Sequence, residues 1–304
     1  MMAKATSPAE SEPIVFLREM LREIRGIMFS KYGMRRVSIR PVGSDGSRLS
    51  LPVKIAGVDR SGHAVRYFGK ILRTSDVVSD RSMQFAKNLY LEVNSVAPVF
   101  GFTDTPEDMV RRQFESLTAI RAAGVPTAKP LGYHRIRPGM WLLVAEYLEA
   151  VPLSDWKEVT PDQIDTVFGY LRRLHDRGVF HGDIKPENIM LGDRIYLLDA
   201  GVLRKDTDAS KKQAYDLACL LCTFLELRSA EAALRAAGRY YTRREVRDAV
   251  DYIDLVQQRQ DFHFTNEQKG ALKRLMKEPT ASAPSTRRPA RRARSIGGRA
   301  SASE

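Results

Sequence analysis

Between Leu174 and Gly201 the chain reads LHDRGVFHGDIKPENIMLGDRIYLLDAG. Within it His181, Asp183, Lys185, Asn188 and Asp199 lie among apolar runs, of which "NIML" and "IYLL" are the clearest. A solvated loop carries such residues at any spacing. Here the chemically demanding side chains are pinned between short segments that favour burial, so their placement points to a built site rather than a surface turn.

Working outward, 304 residues are enough for one large domain or two lobes with a substantial core. The 43% hydrophobic content is ordinary for a globular chain. No apolar run approaches the roughly 20 residues that cross a bilayer. The opening "MMAKATSPAESEP" has no apolar stretch of the secretory kind, so a cytoplasmic location is expected. Cys219 and Cys222 form a C-x-x-C within "DLACLLCTFLEL". Their flanks are apolar and helical and bring no further ligands, so they read as small core residues rather than a redox or metal pair. The net charge of +12 is uneven: residues 277–304 hold seven Lys/Arg against two Asp/Glu, with almost no apolar anchors. That composition cannot offset its ordering entropy and reads as a disordered tail. The tail suits weak contact with anionic partners, nucleic acid or a membrane surface. It also offers Thr286, Ser295 and Ser301 as phosphate acceptors.

Residues from Pro13 to about Phe29 place Phe16, Leu17, Met20, Leu21, Ile24, Ile27 and Met28 at helical spacing, which predicts a helix docked on the adjoining lobe. "RRVSIRPV", "SLPVKIAGV" and "AVRYFGKIL" are strand-like and separated by turn residues, so three antiparallel strands are expected. Helices are expected from Ser79 to about Asn94 and from Thr105–Pro106 to Ala123, closed by Gly124. "WLLVAEYL" reads as a buried strand and Pro161–Asp176 as an amphipathic helix. After Gly201 only helices are expected: Ser210–Leu227, Ala230–Tyr240, Thr242–Gln258 and Asn266–Met276. Strands first and helices later imply an α+β, two-lobed plan.

"HGDIKPEN" followed by "LLDAG" resembles the catalytic loop and metal-binding motif of the protein-kinase-like superfamily, H-R-D-x-K-x-x-N and then D-F-G. The resemblance extends over roughly residues 37–275. It implies a bilobal fold: residues 1–36 an extension with an amphipathic helix, 37–148 a small antiparallel β-lobe, 149–277 a larger, mainly helical lobe, and 278–304 the tail. It implies phosphoryl transfer from ATP with Mg²⁺ as cofactor. Asp183 would receive the acceptor hydroxyl and Lys185 would neutralise the γ-phosphate. Asn188 and Asp199, brought together by a hairpin through "GDR", would bind the metal with the hard oxygens that suit Mg²⁺. His181 would brace the loop backbone, and Asp216 would cap it from the central helix of the large lobe.

For ATP, the resemblance points to Gly43 and Gly46 as the loop over the phosphates and to Lys70 as the phosphate-pairing lysine, with Lys54 and Lys87 as rivals. Glu115 would pair with that lysine, with Glu92 as competitor. In "LVAEYLEA", the Glu146 carbonyl and the Leu148 N–H would meet the adenine edge, with Ala145 behind it. Two departures narrow the reading. Ala200 stands where the family has Phe, and no A-P-E follows before Asp216, so the activation segment is cut short. The expectation is an atypical serine/threonine protein kinase. A small-molecule or lipid-linked sugar kinase of the same fold is the alternative, and an ATP-binding pseudokinase is a further one. The acceptor, protein or small molecule, is not identified by these residues.

Overall fold

The three strand-like runs fold as expected. In the computed structural model, which describes residues 12–42 and 50–278, they are β1 (Arg35–Pro41), β2 (Leu51–Val58) and β3 (Ala64–Arg73). Two further strands, β4 (Pro130–Arg137) and β5 (Met140–Glu146), complete an antiparallel sheet ordered β1-β2-β3-β5-β4. Alternation along the strands sets its two faces. Ile71, Leu142 and Val144 pack with Met20, Ile24 and Met28 of helix α1 (Glu12–Tyr32). Leu72 and Leu143, their immediate neighbours, pack on the opposite side with Met109, Val110 and Leu117 of α3 (Pro106–Ala122). Each such side chain contributes about 1.5–3 kcal/mol by burial. The Thr105 hydroxyl accepts from the Asp108 N–H at 3.1 Å and caps α3. Gly124 ends it at φ +74°.

Helix α2 (Thr74–Val93) begins five residues before the expected Ser79. The Asp76 carboxylate accepts from the Arg73 N–H at 2.8 Å, so the chain passes from β3 straight into the helix. Val77 near its start joins the small-lobe cluster, while Leu91 near its end is buried in the core of the other lobe. In α2 the Asn88 side chain holds the backbone of Phe100 through both its amide groups, at 2.9 and 3.1 Å.

The second lobe begins at β6 (Val151–Pro152) and comprises α4 (Pro161–His175), the hairpin β7 (Ile189–Leu191) and β8 (Ile195–Leu197), and then only helices. Chief among these is α5 (Ala209–Leu227), buried along every turn from Ala214 to Leu225, with Cys219 and Cys222 both in the core. Around it lie α6 (Ala230–Ala237), α7 (Arg243–Asp248), α8 (Ile253–Gln257) and α9 (Asn266–Lys277). The single helix expected over Thr242–Gln258 is instead two helices joined by a 3₁₀ turn at Ala249–Tyr252. That tightening lets Ala249, Val250, Tyr252 and Ile253 all reach the core. No helix among the described residues is long and apolar enough to cross a membrane. The architecture is α+β and bilobal, a kinase-like plan.

Candidate active site

Asp183, Lys185 and Asn188 lie on the loop between α4 and β7, and Asp199 on the far side of the β7–β8 hairpin. The hairpin pairs Ile189 with Leu197 and Leu191 with Ile195. Asn188 is buried, and its amide nitrogen is 2.8 Å from the Asp183 carbonyl, 3.1 Å from Asp183 Oδ2 and 3.3 Å from the Asp199 carbonyl. With its N–H₂ committed to these, the side-chain oxygen is left as the group for a cation. Asp199 has φ +54°, a left-handed conformation that costs a non-glycine residue about 1–3 kcal/mol. Its Oδ2 lies 3.0 Å from Lys70 Nζ.

Lys70 occupies β3 opposite Leu143, on the same face as Leu72, and is buried. Among the described ion pairs neither rival reaches Asp199: Lys54 lies over the Tyr147 ring at 4.2 Å, and Lys87, near enough to act on the Asp183 carboxylate, lies over the Phe100 ring at 5.0 Å. Lys70 is therefore the lysine that reaches Asp199. Its expected partner is not in place. Glu115 lies on the solvent side of α3, 59% exposed, 3.7 Å from Arg111 of its own helix. The buried stripe of that helix runs through Val110, Leu117 and Ile120, which turns position 115 outward. Glu92, the competitor, is also exposed. Gly43 and Gly46 lie outside the described residues. Glu146 ends β5, its N–H donating to the Lys129 carbonyl at 2.9 Å, and Leu148 lies on the connection to β6.

The loop is fixed from beneath. Asp216 of α5 is fully buried and accepts from the N–H groups of His181 and Gly182, both at 2.7 Å. His175 Nε2 lies 3.3 Å from the same carboxylate, and its Nδ1 is 3.0 Å from the Tyr241 hydroxyl. His181 is buried, and burial keeps its imidazole pKa down despite the nearby carboxylates. Its carbonyl accepts from the Gly201 N–H at 2.7 Å. Gly182, at φ +74°, lets the two segments touch: a Cβ there would fall 2.9 Å from Leu203.

Sequence reasoning missed two residues that border Asp183. Arg259, on the segment after α8, is buried, with Nη2 2.6 Å from Asp183 Oδ1 and 2.9 Å from Asp261 Oδ2. Asp261 Oδ1 is in turn 3.5 Å from Lys185 Nζ. Burial alone would push the Asp183 carboxyl up, but Arg259, Lys185, Lys87 and His181 outweigh it and hold the pKa at about 2. Burial likewise works against the Lys185 ammonium, yet Asp183 and Asp261 raise its pKa. Lys87 has its pKa lowered by burial and by Arg259. Asp80, on the same face of α2, is raised by burial. Nothing near Arg259 in the sequence flags it, since 76 residues separate it from Asp183.

Neighbouring carboxylates do not form a metal cage: no group of three or more His, Cys, Asp or Glu suited to a metal is found among the described residues. One carboxylate and one amide oxygen are instead the kind of hard donors that would hold a magnesium ion of which the protein supplies only part of the coordination.

No family model matches the chain. It is 33% identical over 118 residues to a probable bifunctional tRNA threonylcarbamoyladenosine biosynthesis protein of Methanosarcina barkeri, covering 38% of this chain and 21% of that one. It is 26% identical over 120 residues to the RIO-type serine/threonine-protein kinase Rio1 of Thermoplasma acidophilum, covering 38% of this chain and 56% of that one. The chain thus spans about a fifth of the length of the first of these relatives and about half of the second. Among solved structures, the PknI kinase domain of Mycobacterium tuberculosis superposes with a TM-score of 0.40 at 15% identity, over 80% of this chain and 96% of that one. With kinases among its sequence relatives and two lobes joined through the β5–β6 connection, the chain is similar to members of the protein-kinase-like superfamily.

Proposed function

We propose that the chain is an ATP-dependent phosphotransferase, an atypical serine/threonine protein kinase that passes the γ-phosphate to a hydroxyl. The observation that carries this reading is the convergence on Asn188 of the Asp183 carboxylate and the Asp199 backbone, with Lys70 closing on Asp199 from the other lobe. Lys70 would meet the nucleotide phosphates, and the Glu146–Leu148 backbone would meet the adenine edge. Asp199 and the Asn188 side-chain oxygen would hold magnesium. When bound, that ion neutralises charge on the phosphate oxygens. The acceptor hydroxyl sits against Asp183. Its oxygen bonds to the γ-phosphorus as the bond to the β–γ bridging oxygen breaks, ADP leaves with that electron pair, and the hydroxyl proton passes to Asp183. Lys185 supplies positive charge to the phosphoryl group in transit.

A second reading, a small-molecule acceptor, draws on one feature. Only residues 202–208 separate Gly201 from α5, which leaves little chain to build a platform for an extended peptide. Radiolabelled ATP decides between them, added to the purified protein alone and in lysate, with label on protein separated from label on metabolites. Asp183→Ala is expected to abolish transfer while keeping nucleotide binding, and Asp199→Ala to weaken Mg·ATP binding as well. Turnover like the parent in both variants overturns the reading.

A further inference from the structure

The acceptor side of the site is built by a segment far along the chain. Arg259 reaches Asp183 from between α8 and α9, and its guanidinium is fixed before it arrives. Nη1 lies 3.0 Å from the Tyr215 hydroxyl and 3.6 Å from Cys219 Sγ, both on α5. The Phe262 ring lies 5.1 Å from its central carbon. The group is thus anchored to the most buried helix of the large lobe, and the arginine is only 8% exposed.

Asp183 is held at both oxygens, Oδ1 by Arg259 and Oδ2 by the Asn188 amide. A carboxylate oxygen accepts about two hydrogen bonds, so each keeps room for one more donor. The arrangement therefore orients the carboxylate without filling it. Asp261 extends the restraint, taking Arg259 on one oxygen and Lys185 on the other.

We propose that Arg259 is the positioning residue of the acceptor side: it holds the Asp183 carboxylate at the angle at which an acceptor hydroxyl meets it, and through Asp261 it sets the place of Lys185. This rests on the phosphotransfer reading above. A planar guanidinium bridging two carboxylates fixes direction as well as charge, which a lysine ammonium does less well. Arg259 contacts neither the lysine nor the oxygens assigned to the nucleotide, so its loss acts on turnover rather than on nucleotide affinity.

The test measures label released from γ-labelled ATP to water and to the chain itself, in the full chain and in Asp183→Ala, Arg259→Ala, Arg259→Lys and Asp261→Asn. Direct titration with Mg·ADP and thermal unfolding accompany each variant. Arg259→Ala is expected to lower kcat about 100-fold, the scale of a misplacement near 1 Å, with the ATP KM and Mg·ADP affinity within about twofold of the parent. Added guanidinium ion should restore part of the rate in that variant, and Arg259→Lys should fall between it and the parent. Asp261→Asn should lower kcat less, about tenfold. If Arg259→Ala does not fold, the Lys and Asn variants decide in the same way. A parent-like or faster rate without the guanidinium overturns the proposal, as does a loss that tracks nucleotide affinity and resists guanidinium. If Asp183→Ala is silent while Arg259→Ala keeps the parent rate, this inference alone fails. If the parent and Asp183→Ala turn over equally, the phosphotransfer reading fails and takes the inference with it.

Discussion

Asp216 offers the sharpest measurement of how the loop that carries Asp183 is held. Its carboxylate is fully buried and accepts from two backbone N–H groups at 2.7 Å, with His175 at 3.3 Å. Asp216→Ala leaves the two N–H groups buried and unpaired, at about 1–3 kcal/mol each. Removing a buried charge recovers part of this, since its own desolvation cost disappears. The net expectation is a loss of about 3 kcal/mol. For a chain of this size that lowers the unfolding midpoint by roughly 5 °C. Asp216→Asn is the more telling variant. It keeps one acceptor oxygen but turns an N–H₂ toward the second backbone donor, so it should lose about 2 kcal/mol despite its matching shape. Urea unfolding followed by circular dichroism reads both, with an unchanged denaturant slope showing that only stability moved. If the Asn variant is as stable as the parent, two good acceptors are not needed and the carboxylate is not the anchor of the loop.

Glu245 accepts from the Thr242 N–H, Gln213 and Arg172, and these contacts overcome burial to hold its pKa at about 2, against an ordinary 4.5. Because the folded value lies below the unfolded one, this stability is complete above about pH 4.5 and is lost as the pH falls toward 2. Glu245→Gln should therefore cost about 2 kcal/mol at pH 7 and almost nothing at pH 2; an equal cost at both would show that the charge is irrelevant. Burial pushes the Cys219 thiol up to about 12, and Cys222 is fully buried beside it. Neither should react with a thiol reagent until the protein is unfolded, and fast native labelling would contradict their place in the core. Lys70→Met removes the cation 3.0 Å from Asp199 and should weaken ATP binding about tenfold by fluorescent-nucleotide displacement; unchanged affinity would assign the phosphates to another cation.

How much of the fold and the site is legible in the chain depends on the range of the interactions. The loop from His181 to Asn188 and the hairpin to Asp199 are local, so spacing and apolar alternation expose them. Asp216 is visible because it stands at the head of the apolar run that begins at Leu217, within α5. Strand β4 escapes notice because "PLGYHRIR" is only half-buried and carries no apolar alternation. The break between α7 and α8 leaves helical spacing almost intact on both sides, so periodicity runs through it. Glu115 misleads for another reason: its position in the middle of α3 says nothing about which side of that helix faces the sheet. Arg259 and Asp261 are beyond reach, because an ion pair closed across the whole lobe leaves no pattern in the neighbouring residues.

Helix α2 has a mechanical consequence. Its 20 residues measure about 30 Å, and its two ends are seated in different cores, Val77 in one and Leu91 in the other. A helix of that length resists bending, so the cleft cannot gape by rotation at the β5–β6 connection alone. Widening it means unseating one end of this brace, with Leu91 drawn out of its socket and Asn88 parted from Phe100. On the phosphotransfer reading proposed above, that unseating precedes the release of a spent nucleotide.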